Sequence, residues 1–98
     1  MKEGKSLKAR ALDLLARREY SRLELKRRLA PHAESEDEID SLLAELSERQ
    51  WQSDERYTEA FIHSKSRSRG RLRLQQELAA KGVDESLVRA NLPDRDTE

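Results

Sequence analysis

The chain contains no cysteine, which removes disulfides, thiolate metal sites and cysteine nucleophiles together. It has no apolar run near the roughly 18 residues a membrane span needs. Its start, Met1-Lys2-Glu3-Gly4-Lys5, lacks the apolar core of a signal peptide, so a cytoplasmic location is expected by default. There is no Gly-rich phosphate loop, no Ser-His-Asp arrangement and no carboxylate pair in an apolar setting. An enzyme is therefore not expected, nor is a cofactor or a small-molecule substrate. Histidine is limited to His32 and His63, whose spacing suggests neither a metal site nor a proton relay. The acids Glu34, Glu36, Asp37, Glu38 and Asp40 lack the glycine and the spaced final glutamate of a calcium loop.

Net charge is also absent: 20 Lys and Arg balance 20 Asp and Glu. The balance hides blocks. Residues 1–33 carry +6, 34–59 carry −8, 60–82 carry +5, and the remainder −3. Such segments create local potentials that steer oppositely charged partners, which a neutral total would not suggest. Apolar residues make up 35% and charged residues 41% of the 98 residues, so any core must be lean. A disordered chain would combine that composition with a large net charge. A folded, modestly stable protein is expected instead.

What is present is helical periodicity. Leu7, Ala11, Leu14 and Leu15 form one stripe of a first helix. Ser21-Arg22-Leu23-Glu24 is a capping box that opens a second, striped by Leu25 and Leu29 and ended by Pro31. A second box, Ser35-Glu36-Asp37-Glu38, opens a third helix bearing Ile39, Leu42, Leu43 and Leu46. Ser53-Asp54 starts a fourth, with Tyr57, Ala60, Phe61 and Ser64 inward, broken at Gly70. Leu74 and Leu78 stripe the fifth, which Gly82 ends in a left-handed conformation. Asp84 caps a sixth, bearing Leu87, Val88 and Leu92, and Pro93 stops it. No stretch alternates as a strand would. The fold class is all-α.

The chain repeats at an offset of 49 residues: Arg22-Leu23-Glu24-Leu25 returns as Arg71-Leu72-Arg73-Leu74, Leu29-Ala30 as Leu78-Ala79, Ile39 as Val88 and Leu43 as Leu92. The caps correspond too, Ser21 with Gly70 and Ser35 with Asp84. The expected architecture is tandem three-helix repeats, six helices in two units over 1–49 and 50–93 with a tail at 94–98, stacked so that neighbours share a core. The core is expected to hold Leu15, Leu25, Leu29, Ile39, Leu43, Phe61, Leu74, Leu78 and Val88. Trp51 is expected as a plug between the repeats, and Tyr20 with its ring inward.

Three segments resemble the RecX family in order and spacing. They are Tyr20 to Leu29 (YSRLELKRRL), Asp54 to Phe61 (DERYTEAF) and Gly70 to Gly82 (GRLRLQQELAAKG). The resemblance spans roughly residues 9–92. It implies a modulator of the RecA recombinase, usually an inhibitor, lying in the groove of the RecA–DNA filament or capping its growth. Strand exchange, ATP hydrolysis and repressor cleavage would thereby be restrained. The family typically has three helical units. This sequence stops at Asp94-Arg95-Asp96-Thr97-Glu98, where the third would begin, so a shortened form lacking that repeat is expected.

Two basic clusters are the candidate contacts with the filament, or with DNA phosphates. Lys65, Arg67, Arg69, Arg71 and Arg73 occupy alternate positions, with no acid between Ala60 and Gln76. A turn at Gly70 would gather them on one exposed ridge, where guanidiniums suit phosphates and carboxylates bidentately. Arg17, Arg18, Arg22, Lys26 and Arg27 form the second cluster, with Arg22 and Lys26 neighbours that local repulsion disfavours. For both clusters the bland alternative is a solvated surface. A direct DNA-binding module of helix-turn-helix type is the other functional reading, its recognition helix offering Arg71, Arg73, Gln75 and Gln76.

Overall fold

A computed structural model describes residues 5–92, and within them the chain is helical with no strand. The helices are α1 (Leu7–Arg17), α2 (Arg22–Leu29), α3 (Glu36–Glu48), α4 (Asp54–Lys65), α5 (Arg71–Ala80) and α6 (Glu85–Asn91). A single 3-10 turn, Ala30–His32, follows α2. The second and third helices of the two units begin at Arg22 and Arg71, and at Glu36 and Glu85, each pair in the register of the sequence repeat. Pro93 and the 94–98 tail lie outside the described residues.

Side-chain caps set the starts. Ser6, Ser21, Ser35 and Ser53 each accept the amide three residues on, and Asp84 accepts that of Ser86. The box at Ser21 is complete, because Glu24 also accepts the Ser21 amide at 3.1 Å. That at Ser35 is not: Glu38 reaches one residue further, to the Glu34 amide at 2.8 Å. Pro31 does close α2, but Ala30 before it keeps helical angles (φ −53°, ψ −43°). The chain tightens into the 3-10 turn instead of extending at once. Similarly, α4 stops at Lys65, well before Gly70, because the Lys65 carbonyl takes the amides of Ser68 and Arg69, both at 3.1 Å.

Apolar packing differs from expectation in one important respect: the units do not share a core. One cluster comprises Leu7, Ala11, Tyr20, Leu25, Leu29, Ile39, Leu42, Leu43 and Leu46. A second comprises Tyr57, Ile62, Leu74, Leu78, Val83, Val88 and Leu92. Of the residues expected in the core, Leu15 and Phe61 are only half-buried. Helix α4 is turned so that Tyr57, Thr58 and Ile62 face inward while Ala60 and Ser64 face out. Tyr20 is buried as expected. Trp51 is not a plug; it is 41% exposed, with Lys8 Nζ 5.7 Å and Arg49 Cζ 5.1 Å from its ring centroid.

Between the two clusters runs a polar seam. Gln52, next to Trp51, fills it: its amide donates to Tyr20 O at 3.2 Å and Asp54 Oδ1 at 2.9 Å, and its carbonyl accepts from Ser47 Oγ at 2.9 Å. Asp54 also accepts the Arg22 amide at 2.8 Å, and Arg56 Nε donates to Glu19 at 3.1 Å. Ser21 Oγ donates to Lys81 O at 2.9 Å. Glu24 gathers Lys81 Nζ at 3.3 Å, the Tyr57 hydroxyl at 3.4 Å and Arg18 at 3.5 Å. Burying the Tyr57 hydroxyl, with Glu24 beside it, pushes its pKa up to about 12. The result is a rod of 56 × 22 × 21 Å.

Candidate partner-binding surfaces

The ridge around Gly70 is built from the end of α4, a turn, and the start of α5. Lys65 ends α4 half-buried and lines a cavity of about 390 Å³ at the seam, with Arg18, Tyr57 and Lys81. Arg67 stands exposed in the turn, and Arg71 exposed at the first position of α5. Arg69 and Arg73 behave differently. Their Nε atoms donate to the same oxygen of Glu77, at 3.0 and 3.1 Å. Hydrogen bonds and charge from Arg73 and Arg69 hold the Glu77 carboxyl below its ordinary range. The turn therefore does not present all five cations outward: two fold back onto the first acid beyond the acid-free stretch. Gly70 itself is extended (φ −74°), with open space where a Cβ would stand.

The first-unit cluster divides likewise. Arg18 lays its guanidinium 3.8 Å from the Tyr20 ring centroid and donates to Glu19 O at 2.8 Å. Lys26 lies 3.0 Å from Glu36 and 3.3 Å from Asp40, and those two carboxylates raise its pKa. It ties α2 to α3, which explains a cation that repulsion from Arg22 would disfavour. Arg17, Arg22 and Arg27 are exposed and form no ion pair with another described residue; Arg67 shares that state. Of the ten candidates, Arg18, Lys26, Arg69 and Arg73 are held by internal acids, whereas Arg17, Arg22, Arg27 and Arg67 form no ion pair with another described residue.

One basic feature escaped the sequence reading. Arg10, Arg17, Arg28 and His32 line a cavity of about 620 Å³ floored by Leu14 and Leu29. Its one acid, Asp13, is paired with Lys5. The available signal was the seven-residue spacing of Arg10 and Arg17, two turns along one face of α1. Among the described residues no helix is long and apolar enough to cross a membrane.

Two three-helix units in register, each with its own core and joined by a polar seam, define a tandem helical-repeat protein with basic outer faces. Sequence comparison carries this to a family. The profile described as RecX, first three-helix domain, matches residues 8–46, and RecX, second three-helix domain, matches 53–92. A protein of Neisseria meningitidis named Regulatory protein RecX is 60% identical over all 98 residues, which span 64% of its own length. Proteins of the same name from Chromobacterium violaceum and Ralstonia pickettii are 53% and 49% identical, over 96% and 85% of this chain and 62% and 52% of theirs. The chain belongs to the RecX family.

Proposed function

We propose that this chain is a non-enzymatic regulator that docks on the RecA–DNA filament from the bacterial cytoplasm and inhibits its recombinase, ATPase and co-protease activities. The observation that carries this reading is the set of open guanidiniums, Arg17, Arg22, Arg27 and Arg67. They form no ion pair among the described residues, in a chain with as many acids as bases. Internal acids hold Arg18, Lys26, Arg69 and Arg73, which leaves these four available to an anionic partner surface. The resemblance to RecX supplies the partner. Both units, 1–49 and 50–93, contribute to the contact, since the open arginines fall in each.

The test combines Arg17→Glu, Arg22→Glu and Arg27→Glu in one chain, and Arg67→Glu in another. Both should keep native helicity, because all four of these side chains are exposed. Binding to RecA filaments assembled on single-stranded DNA should weaken by roughly tenfold or more in the triple variant, and inhibition of filament ATP hydrolysis should fall with it. Raising salt to physiological strength should weaken wild type more than either variant. Unchanged filament binding by both variants would reduce the arginines to solvated surface. Equal affinity for naked DNA and filament would favour the helix-turn-helix reading, for which the exposed Arg71 and Gln76 are placed on α5.

A further inference from the structure

Arg10, Arg17, Arg28 and His32 reach one cavity from three elements: α1, α2 and the 3-10 turn that follows α2. Arg10 is half-buried, and no ion pair joins any of the three arginines to another described residue. Lys5 already neutralises Asp13, so the cavity keeps the charge of the guanidiniums. Arg28 is held without being neutralised, its Cζ 5.6 Å from the centroid of the buried Tyr20 ring.

Helix ends account for only part of this charge. Arg17 and Arg28 lie in the last turns of α1 and α2, where a cation suits the helix dipole. Arg10 lies near the start of α1, where the dipole gives it no such support. Nor does the fold require a cation at Arg28. At the equivalent place on α5 the second unit has Glu77, which draws in Arg69 and Arg73, and it has Lys81 in place of His32. The first unit gathers cations where the second cancels them.

We propose that this cavity is a binding site for a phosphate group of high charge, either an oligophosphate or a terminal phosphate monoester. Guanidinium forks match phosphate oxygens bidentately. Charge decides among the anions: an internal phosphodiester brings about one negative charge, a terminal phosphate about two. Only the more highly charged group makes use of Arg10, Arg17 and Arg28 together. The volume, about 620 Å³, suits a small ligand, and Leu14 and Leu29 in its floor offer apolar contact to whatever carries the phosphate. Two sources share this chemistry, a soluble nucleotide and the phosphorylated end of a nucleic-acid strand. The site shares Arg17 with the filament contact but does not rest on it, and RecA is absent from its test.

The experiment titrates the protein at low salt with pyrophosphate, with ADP, and with a short single-stranded oligonucleotide with and without a terminal phosphate. Binding is read by calorimetry and by backbone amide shifts. Pyrophosphate should bind saturably, with shifts centred on Arg10, Arg28 and His32. Arg10→Gln combined with Arg28→Gln should weaken it by roughly tenfold or more, while Arg49→Gln combined with Arg89→Gln should leave it unchanged. Tighter binding of ADP than of pyrophosphate would identify the source as a soluble nucleotide. A gain from the terminal phosphate, lost in the Arg10 and Arg28 variant, would identify it as a strand end. Absence of saturable pyrophosphate binding would overturn the proposal, as would shifts centred on the ridge around Gly70 or equal affinity in that variant. Oligonucleotide binding that needs Arg10 and Arg28 but ignores the terminal phosphate would overturn it in favour of a backbone contact. The wild-type amide shifts decide the site even if the double variant fails to fold.

Discussion

Thr58 is wholly buried on α4, and its hydroxyl oxygen has no hydrogen-bond partner among the described residues. Desolvating such a group without compensation costs about 1–3 kcal/mol, while valine has nearly its shape. Thr58→Val should therefore raise stability by about 1 kcal/mol, read as a higher urea midpoint; a lowered midpoint would mean that the hydroxyl is satisfied after all. Its neighbour in the chain, Tyr57, makes stability fall in alkali. Its folded pKa of about 12 lies above the ordinary 10.0, so the unfolded chain loses the phenolic proton first. The contribution is whole below about pH 10 and drains away as the pH rises through about 12. Tyr57→Phe should remove that component, so wild type should lose more stability than the variant between about pH 9 and pH 11. Helical spacing placed Tyr57 on the inner face of α4, but neither the burial of Thr58 nor the Glu24 carboxylate beside the Tyr57 hydroxyl was legible in the sequence. The same holds for Trp51 and Gln52: size and hydrophobicity pointed to the tryptophan as the inter-repeat plug. The seam is polar, however, and an amide that both donates and accepts fits it where an indole does not.

At the scale of the helix, the sequence was most informative where a side chain closes a local hydrogen bond. The starts of α2, α3, α4 and α6 follow from side-chain caps within the first turn, while α5 begins at Gly70 without one. Ends were harder, because α4 terminates on backbone bonds to the Lys65 carbonyl that need no glycine. Faces were harder still on α4, where the seam as well as the core decides the rotation. The two serine caps give a graded prediction. Ser21 accepts the Glu24 amide and also donates across the seam to Lys81 O, whereas Ser35 is exposed and caps only its own helix. Ser21→Ala should cost about 1–2 kcal/mol and Ser35→Ala about 1 kcal/mol or less. Equal shifts in their denaturation midpoints would deny the seam bond any net worth. The basic clusters were legible as composition but not as a site. Whether a cation is open or paired depends on acids such as Glu36 and Asp40, brought to Lys26 by the packing of α3 on α2.

The molecule as a whole repeats a unit that buries its own apolar residues. Leu29 and Leu78 occupy equivalent places in separate clusters. Leu29→Ala and Leu78→Ala should each cost about 2–5 kcal/mol, and the damage should stay on one side of the seam. Hydrogen exchange should speed across α1–α3 in the first variant and across α4–α6 in the second; uniform loss of protection in both would mean the seam couples the units into one cooperative block. The 49-residue register was visible in the sequence, but the separation of the cores was not, because apolar periodicity marks an inward face without saying which neighbour covers it. That separation bears on how such a protein changes over generations. A gene segment that encodes one unit can be duplicated, lost or exchanged at the seam without opening an oily interior, since what is broken there is mainly hydrogen bonds that water can replace. Lineages are then free to alter the number of units, and the charge on each, one unit at a time.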